Sequence, residues 1–90
     1  MVLELSPTAE ADLERIFEFN LKRSVAWAEK VERRIWERAN SLLKTPAIGR
    51  RTVRPGVRRL SVPDIQYVMD YRAEADRIRI LRIYHTREIR

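Results

Sequence analysis

Arginine is the residue type in this chain best suited to chemistry, and its copies gather in the second half. Arg50, Arg51 and Arg54 sit close together, Arg58 and Arg59 follow, and Arg77, Arg79 and Arg82 lie near the C-terminus. A guanidinium stays charged at physiological pH and offers paired donors to phosphate or carboxylate. Such a cluster can grip a polyanion, stabilise charge in a phosphoryl-transfer transition state, or receive an acidic peptide. Tyr84-His85 places two proton-handling groups beside Arg82. In RNA cleavage by 2′-hydroxyl attack, a Tyr or His next to arginines can act as general acid or base. The alternative is structural: a half-buried tyrosine on a sheet and a histidine satisfied by the backbone.

Other catalytic templates fail. Only Gly49 and Gly56 exist, so there is no glycine-rich phosphate loop. One histidine and no cysteine leave too few ligands for a transition metal, exclude disulfides and offer no legible Ser/His/Asp grouping. No metal, cofactor or small-molecule substrate is therefore expected. Neighbouring carboxylates fall on helical segments, the usual pattern of a solvated face rather than a glycosidase pair.

The net charge of +6 is unevenly spread. Residues 1–43 carry seven basic and eight acidic side chains, and residues 44–90 carry twelve and five. The whole positive excess lies in the second half, which will attract polyanions or acidic protein segments. The alternative is a set of arginines that only keep the surface soluble.

The elements that must position these groups follow from patterning. Ninety residues with 44% hydrophobic side chains fit one domain, 1–90. Val2–Leu5 reads as an opening strand. Ser6-Pro7 is a helix start, because Ser accepts from a free backbone N–H and Pro lacks one where none is needed. Ala9, Leu13, Ile16, Phe17 and Leu21 then recur at helical spacing, which predicts a helix over 7–22. After Ser24, the stripe Ala28, Val31, Ile35, Ala39 and Leu42 predicts a second helix ending near Lys44, before Thr45-Pro46. Trp27 and Trp36 are nine residues apart, on opposite sides of that helix, so at most one faces the core. Residues 46–56 read as a loop, and Val57–Val62, Ile65–Tyr71 and Arg77–His85 as strands. Ile80-Leu81-Arg82-Ile83 breaks alternation, which predicts a bulge or a strand buried on both faces, placed centrally. The expected fold is α+β: an antiparallel sheet with an N-terminal helical hairpin packed on one face, in the order β-α-α-β-β-β.

No apolar run reaches the roughly 20 residues a membrane span requires, and MVLELSPTAE lacks a basic-then-apolar signal. A cytoplasmic protein without membrane contact is expected.

Several stretches carry a family resemblance. Leu5-Ser6-Pro7-Thr8-Ala9 with Asp12-Leu13 and Ile16, Leu42 to Pro46 with Gly49-Arg50, and Val57-Arg58-Arg59-Leu60 resemble ParE-like toxins. So do Tyr71-Arg72 and Ile78-Arg79-Ile80-Leu81-Arg82-Ile83 leading to His85. Their order and spacing, over about residues 3–87, are similar to the RelE/ParE superfamily. The resemblance implies the same element order, the role of toxin in a type II toxin–antitoxin system, and a cognate antitoxin that wraps and neutralises it. ParE-like members poison DNA gyrase; RelE-like members cleave mRNA on the ribosome. For a ParE-like toxin no catalytic residues are expected, and Arg50, Arg51, Arg54, Arg58, Arg59, Arg79, Arg82 and His85 are the partner-binding candidates. For a RelE-like nuclease, Arg54, Arg58 or Arg59, Arg82, Tyr84 and His85 would fill the catalytic places. The shared terms are closer to ParE. A third reading is a plain basic nucleic-acid-binding module.

Overall fold

The computed structural model describes residues 1–88. Its elements are β1 (Val2–Leu5), α1 (Pro7–Leu21), α2 (Val25–Ser41), β2 (Arg50–Arg51), β3 (Val57–Val62), β4 (Tyr67–Ala73) and β5 (Arg77–His85), followed by a 3-10 turn at Thr86–Glu88. Both helices start where the caps place them. The Ser6 hydroxyl accepts from Ala9 N and the Ser24 hydroxyl from Trp27 N, each at 3.0 Å. α2 ends at Ser41, short of the expected Lys44. There the chain tightens to i→i+3 bonds, from Leu42 N to Ala39 O, Leu43 N to Asn40 O and Lys44 N to Ser41 O.

The sheet order is β1-β5-β4-β3-β2. β2 to β5 form the expected antiparallel meander, but β1 runs parallel to β5, with Leu3 opposite Ile78 and Leu5 opposite Ile80. The sheet is therefore mixed. A parallel neighbour requires a long crossover, and here residues 6–76, the helical hairpin followed by β2 to β4, supply it. The loop over 46–56 also holds the short edge strand β2 within it. β4 begins two residues later than expected, because Ile65 and Gln66 belong to the β3–β4 turn, with Gln66 at φ 60.

The broken alternation in β5 is a bulge. Asp70 faces Arg82 and Tyr71 faces Ile80, leaving Leu81 as the extra residue. β4 is the central strand, and β5 lies between it and β1. α1 occupies the edge of β5 that β1 is too short to reach. Ser6 N donates to Ile80 O at 2.9 Å, the Ser6 hydroxyl donates to Leu81 O at 3.0 Å, and Asp12 accepts from Ile83 N at 2.9 Å.

The core lies between the hairpin and one sheet face. Ala9, Leu13 and Ile16 of α1 and Val31, Ile35 and Ala39 of α2 meet Leu60, Val62, Met69, Tyr71, Ile78, Ile80 and Ile83. The register therefore leaves the alternate residues of every strand on the face without helices. Of the two tryptophans, Trp27 packs against the core and donates from Nε1 to Asn20 at 2.8 Å, whereas Trp36 is 38% exposed.

Candidate functional site

Strand pairing puts Arg50 of β2, Arg59 of β3, Arg72 of β4, and Arg77, Arg79 and Arg82 of β5 on the helix-free face. Glu4, Asp70 and Tyr84 share that face, as do Val57 and Val68. Both valines are buried although no helix lies over them. Long arginine and tyrosine side chains on the same face can shield them while their polar ends stay wet.

Most of these guanidiniums already have partners. Arg59 Nε donates to Asp70 Oδ1 at 2.7 Å, and the Tyr84 hydroxyl donates to Asp70 Oδ2 at 2.9 Å. The Arg59 and Arg82 guanidiniums lie 5.5 and 5.9 Å from the Tyr84 ring centroid, within cation–π range. Arg82 reaches over the sheet edge to Asp12 of α1, with Nε 2.8 Å from Oδ2. Arg77 and Arg79 share Glu4, at 3.0 and 3.2 Å. Arg72 Nη1 donates to Pro55 O at 3.3 Å beneath Gly56, which sits at φ 77. A Cβ at Gly56 would displace the Arg72 guanidinium tip 2.6 Å away, a small cost, so it is the left-handed backbone that calls for glycine there.

The remaining candidates lie elsewhere. Arg51 and Arg58 point to the helix side, and Arg58 braces the loop by donating to Ala47 O and Gly49 O at 3.2 and 2.8 Å. Arg51, Arg54 and Arg58 line a concavity of about 380 Å³ with Thr52, Pro55, Gly56 and Val57. The side chains of Arg50, Arg51 and Arg54 make no hydrogen bond or ion pair among the described residues. Val53, between Arg51 and Arg54, is fully exposed.

His85 is separated from the helix-free face altogether. It stands opposite Tyr67 on the helix side, edge-on to that ring at 5.2 Å, and its Nδ1 accepts from Arg87 N at 3.1 Å. Tyr84 and His85 therefore point to opposite sides of β5. Burial, and then the bond to Asp70, push the Tyr84 hydroxyl up to about 12. The arrangement can hold anions at the free arginines, and it sends the Tyr84 hydroxyl to Asp70 and the His85 ring to the other side of β5. Among the described residues, no group of three His, Asp or Glu side chains stands close enough to hold a metal ion.

Sequence reading named eight partner-binding candidates, of which the structure brings Arg50, Arg59, Arg79 and Arg82 onto one face and leaves Arg51, Arg54, Arg58 and His85 off it. It overlooked Arg72, although the alternation Tyr71-Arg72 marks it as outward-facing. It also overlooked Asp12 and Asp70, whose roles depend on partners 70 and 11 residues away in sequence.

A small mixed sheet with an N-terminal helical hairpin and a basic helix-free face defines the class of protein to which the chain compares. A family model described as the ParE toxin of type II toxin–antitoxin systems, parDE, matches residues 3–90. Among solved structures, a chain of the chromosomal ParDE toxin–antitoxin system from P. aeruginosa superposes with a TM-score of 0.86. It is 28% identical, and the match covers 94% of this chain and 95% of that one. No curated protein matches. The chain belongs to the ParE toxin family, and with it comes the role of toxin in a type II system paired with a cognate antitoxin. Among the described residues, no helix is long and apolar enough to cross a membrane.

Proposed function

We propose that this toxin inhibits DNA gyrase in the cytoplasm until its antitoxin neutralises it, and that it does not cut RNA. The observation that carries this choice is the placement of Tyr84 and His85 on opposite faces of β5. A ribonuclease needs its acid and its base at one scissile phosphate, within hydrogen-bond reach of the protons they move. Here the Tyr84 hydroxyl is engaged by Asp70 and raised to about 12, far from the neutral range that suits proton transfer. Arg59 and Arg82 are already neutralised by Asp70 and Asp12. Arg50, Arg51 and Arg54, beside the exposed Val53, remain to contact a target, and a partner with acidic groups around a small apolar socket fits them.

The test pairs two assays on one preparation. Purified gyrase should lose supercoiling activity at micromolar toxin, and expression without antitoxin should induce filamentation and an SOS response. Ribosomes given the same protein should leave mRNA intact. Untouched gyrase together with codon-biased mRNA cuts that disappear in Arg82→Ala and His85→Ala would replace this reading with the nuclease.

A further inference from the structure

At the tip of the helical hairpin, the end of α1, the start of α2, the β3–β4 turn and the last residue of β5 surround a cavity of about 590 Å³. That is the size of a small-molecule site. The cavity is at the Val62 end of β3, and the free arginines of β2 and its loop are at the Val57 end. Four rings line it: Phe19, Trp27, Tyr67 and His85. Asn20, almost wholly buried, fixes two of them. Its Oδ1 accepts from Trp27 Nε1 at 2.8 Å, and its Nδ2 donates to the Tyr67 hydroxyl at 3.1 Å. Tyr67 in turn holds His85 edge-on at 5.2 Å. Phe19 is 61% exposed, a large aromatic surface left in water.

The polar groups around these rings say what kind of ligand. Lys22 and Arg23 follow α1, and neither side chain makes a hydrogen bond or ion pair among the described residues. The Arg23 guanidinium stands 3.9 Å from the centre of the Trp27 ring, placed by a cation–π contact with its N–H groups unused. A helix C-terminus favours nearby cations, but it does not explain rings gathered around them. His85 Nδ1 accepts from Arg87 N, which leaves Nε2 as the ring N–H, with no acceptor among the described residues. The carboxylate in the lining, Asp64, is already spent, because Arg34 donates to its two oxygens at 2.6 and 3.1 Å. Gln66 adds an exposed amide that has no side-chain partner among the described residues. Its backbone is held at φ 60, where Thr86 N donates to its carbonyl at 2.9 Å. Left-handed strain in a residue other than glycine gathers at ligand clamps.

We infer that this cavity binds a nucleotide, with the base against Phe19 and His85, the Gln66 amide at the base edge and the phosphates at Lys22 and Arg23. A purely apolar ligand would leave the two cations and the amide unused, and a bare anion would leave the rings unused. A planar heteroaromatic ring that carries phosphate uses both. Stacking on aromatic side chains beside cations serves a free nucleotide and a nucleotide of a single strand alike. The site shares no residue with the free arginines of β2 and its loop, so the inference stands whatever the toxin poisons.

The experiment titrates the purified toxin with ATP, UTP, adenosine, inorganic phosphate and a single-stranded oligothymidylate, by calorimetry and by NMR of the Trp27 indole N–H. A nucleoside triphosphate should bind and move that signal, with adenosine and inorganic phosphate each about tenfold weaker or more. Phe19→Ser should weaken nucleotide binding about tenfold, the scale of a lost base stack, and so should the double change Lys22→Gln, Arg23→Gln. Gln66→Gly separates binding from folding. It should keep or raise the melting temperature, because glycine adopts the left-handed conformation freely, and still weaken binding about threefold or more. Tighter binding of the oligothymidylate upholds the site and assigns it to a strand, and tighter binding of ATP or UTP upholds it and assigns it to a free nucleotide. A Trp27 signal that millimolar nucleotide does not move overturns the proposal. So does inorganic phosphate that binds as tightly as ATP, or nucleotide affinity unchanged in both the Phe19 and the Lys22, Arg23 variants. Binding that disappears in Arg51→Ala, Arg54→Ala instead would overturn it by moving the nucleotide to the other end of β3.

Discussion

Asp12, on the second turn of α1, accepts from Arg82 Nε at 2.8 Å across 70 residues of sequence and from Ile83 N at 2.9 Å. The carboxylate is almost wholly buried, yet it takes three donors when Arg15 is included. It thus fixes α1 on the stretch of β5 just past the bulge. Asp12→Ala leaves the Ile83 amide and the Arg82 guanidinium without their acceptor and should cost about 3 kcal/mol in urea unfolding. Asp12→Asn should cost less, since its amide oxygen can still accept from Ile83 N. Burial alone would raise this carboxyl, but Arg82, Ile83 N and Arg15 outweigh it and hold the pKa below the ordinary carboxylate value. The stabilisation is therefore present above the unfolded value of about 3.9 and is lost as pH falls through the folded pKa. Stability below pH 4 should fall more steeply in the parent than in Asp12→Asn. Arg82→Ala will also unsettle the fold, so lost toxicity in that variant alone is not evidence of catalysis.

Tyr84 should report the opposite end of the pH scale. Its hydroxyl donates to Asp70, and the folded pKa rises from 10.0 to about 12. A raised folded pKa means that the contribution is complete below the unfolded pKa and is lost as pH climbs from there through the folded one. Absorbance titration of the tyrosines should show a late-ionising contribution that Tyr84→Phe removes. The variant gives up one hydrogen bond, costs about 1 kcal/mol at neutral pH and should keep full gyrase inhibition. A Tyr84→Phe protein that is stable but harmless would contradict the non-catalytic role assigned to this residue.

The loop before β2 depends on Tyr71, which is completely buried. Its hydroxyl donates to Pro46 O at 2.7 Å and accepts from Gly49 N at 2.9 Å. A Cβ on Gly49 would stand 2.6 Å from Tyr71 Cε1 and 3.0 Å from Arg59 O, and a ring packed on all sides cannot give way. Gly49→Ala should therefore lose about 2–3 kcal/mol, the scale of an overpacked core. Tyr71→Phe should lose about 1–3 kcal/mol by leaving the Gly49 amide unsatisfied. Thermal unfolding of the two variants checks both values.

These three cases show what patterning could and could not reach. The helix caps, the two apolar stripes and the break in alternation over Ile80-Leu81-Arg82-Ile83 were legible because each is set by residues a few positions apart; the structure decides that the break is a bulge. The parallel entry of β1 was not, since Leu3 and Leu5 would bury the same face in either orientation. Gln66 was missed because the left-handed conformation usually marks itself with glycine or asparagine, and here it does not. The basic half was visible as composition, but composition cannot tell a free guanidinium from one matched to a carboxylate. Arg59 and Arg82 look like Arg50 and Arg54 in the sequence; Asp70 and Asp12 distinguish them only in three dimensions. Tyr84-His85 failed as a pair for a simpler reason: adjacent residues of a strand face opposite ways.

Engaged and free arginines should respond oppositely to removal. Arg50 and Arg51 stand directly opposite Arg59 and Arg58, so each pair sets like charges across strands. Removing Arg50, Arg51 and Arg54 relieves repulsion and breaks no side-chain bond among the described residues. The triple alanine variant should therefore match the parent in stability within about 0.5 kcal/mol, or slightly exceed it. If these arginines dock the target, inhibition should require roughly tenfold more protein and respond less to salt, because fewer charges remain to be screened. Arg59→Ala should do the reverse, lowering the melting temperature by leaving Asp70 with Tyr84 as its one remaining side-chain partner among the described residues. A folded triple variant with undiminished potency would move the target contact off this loop and onto the paired arginines of the helix-free face.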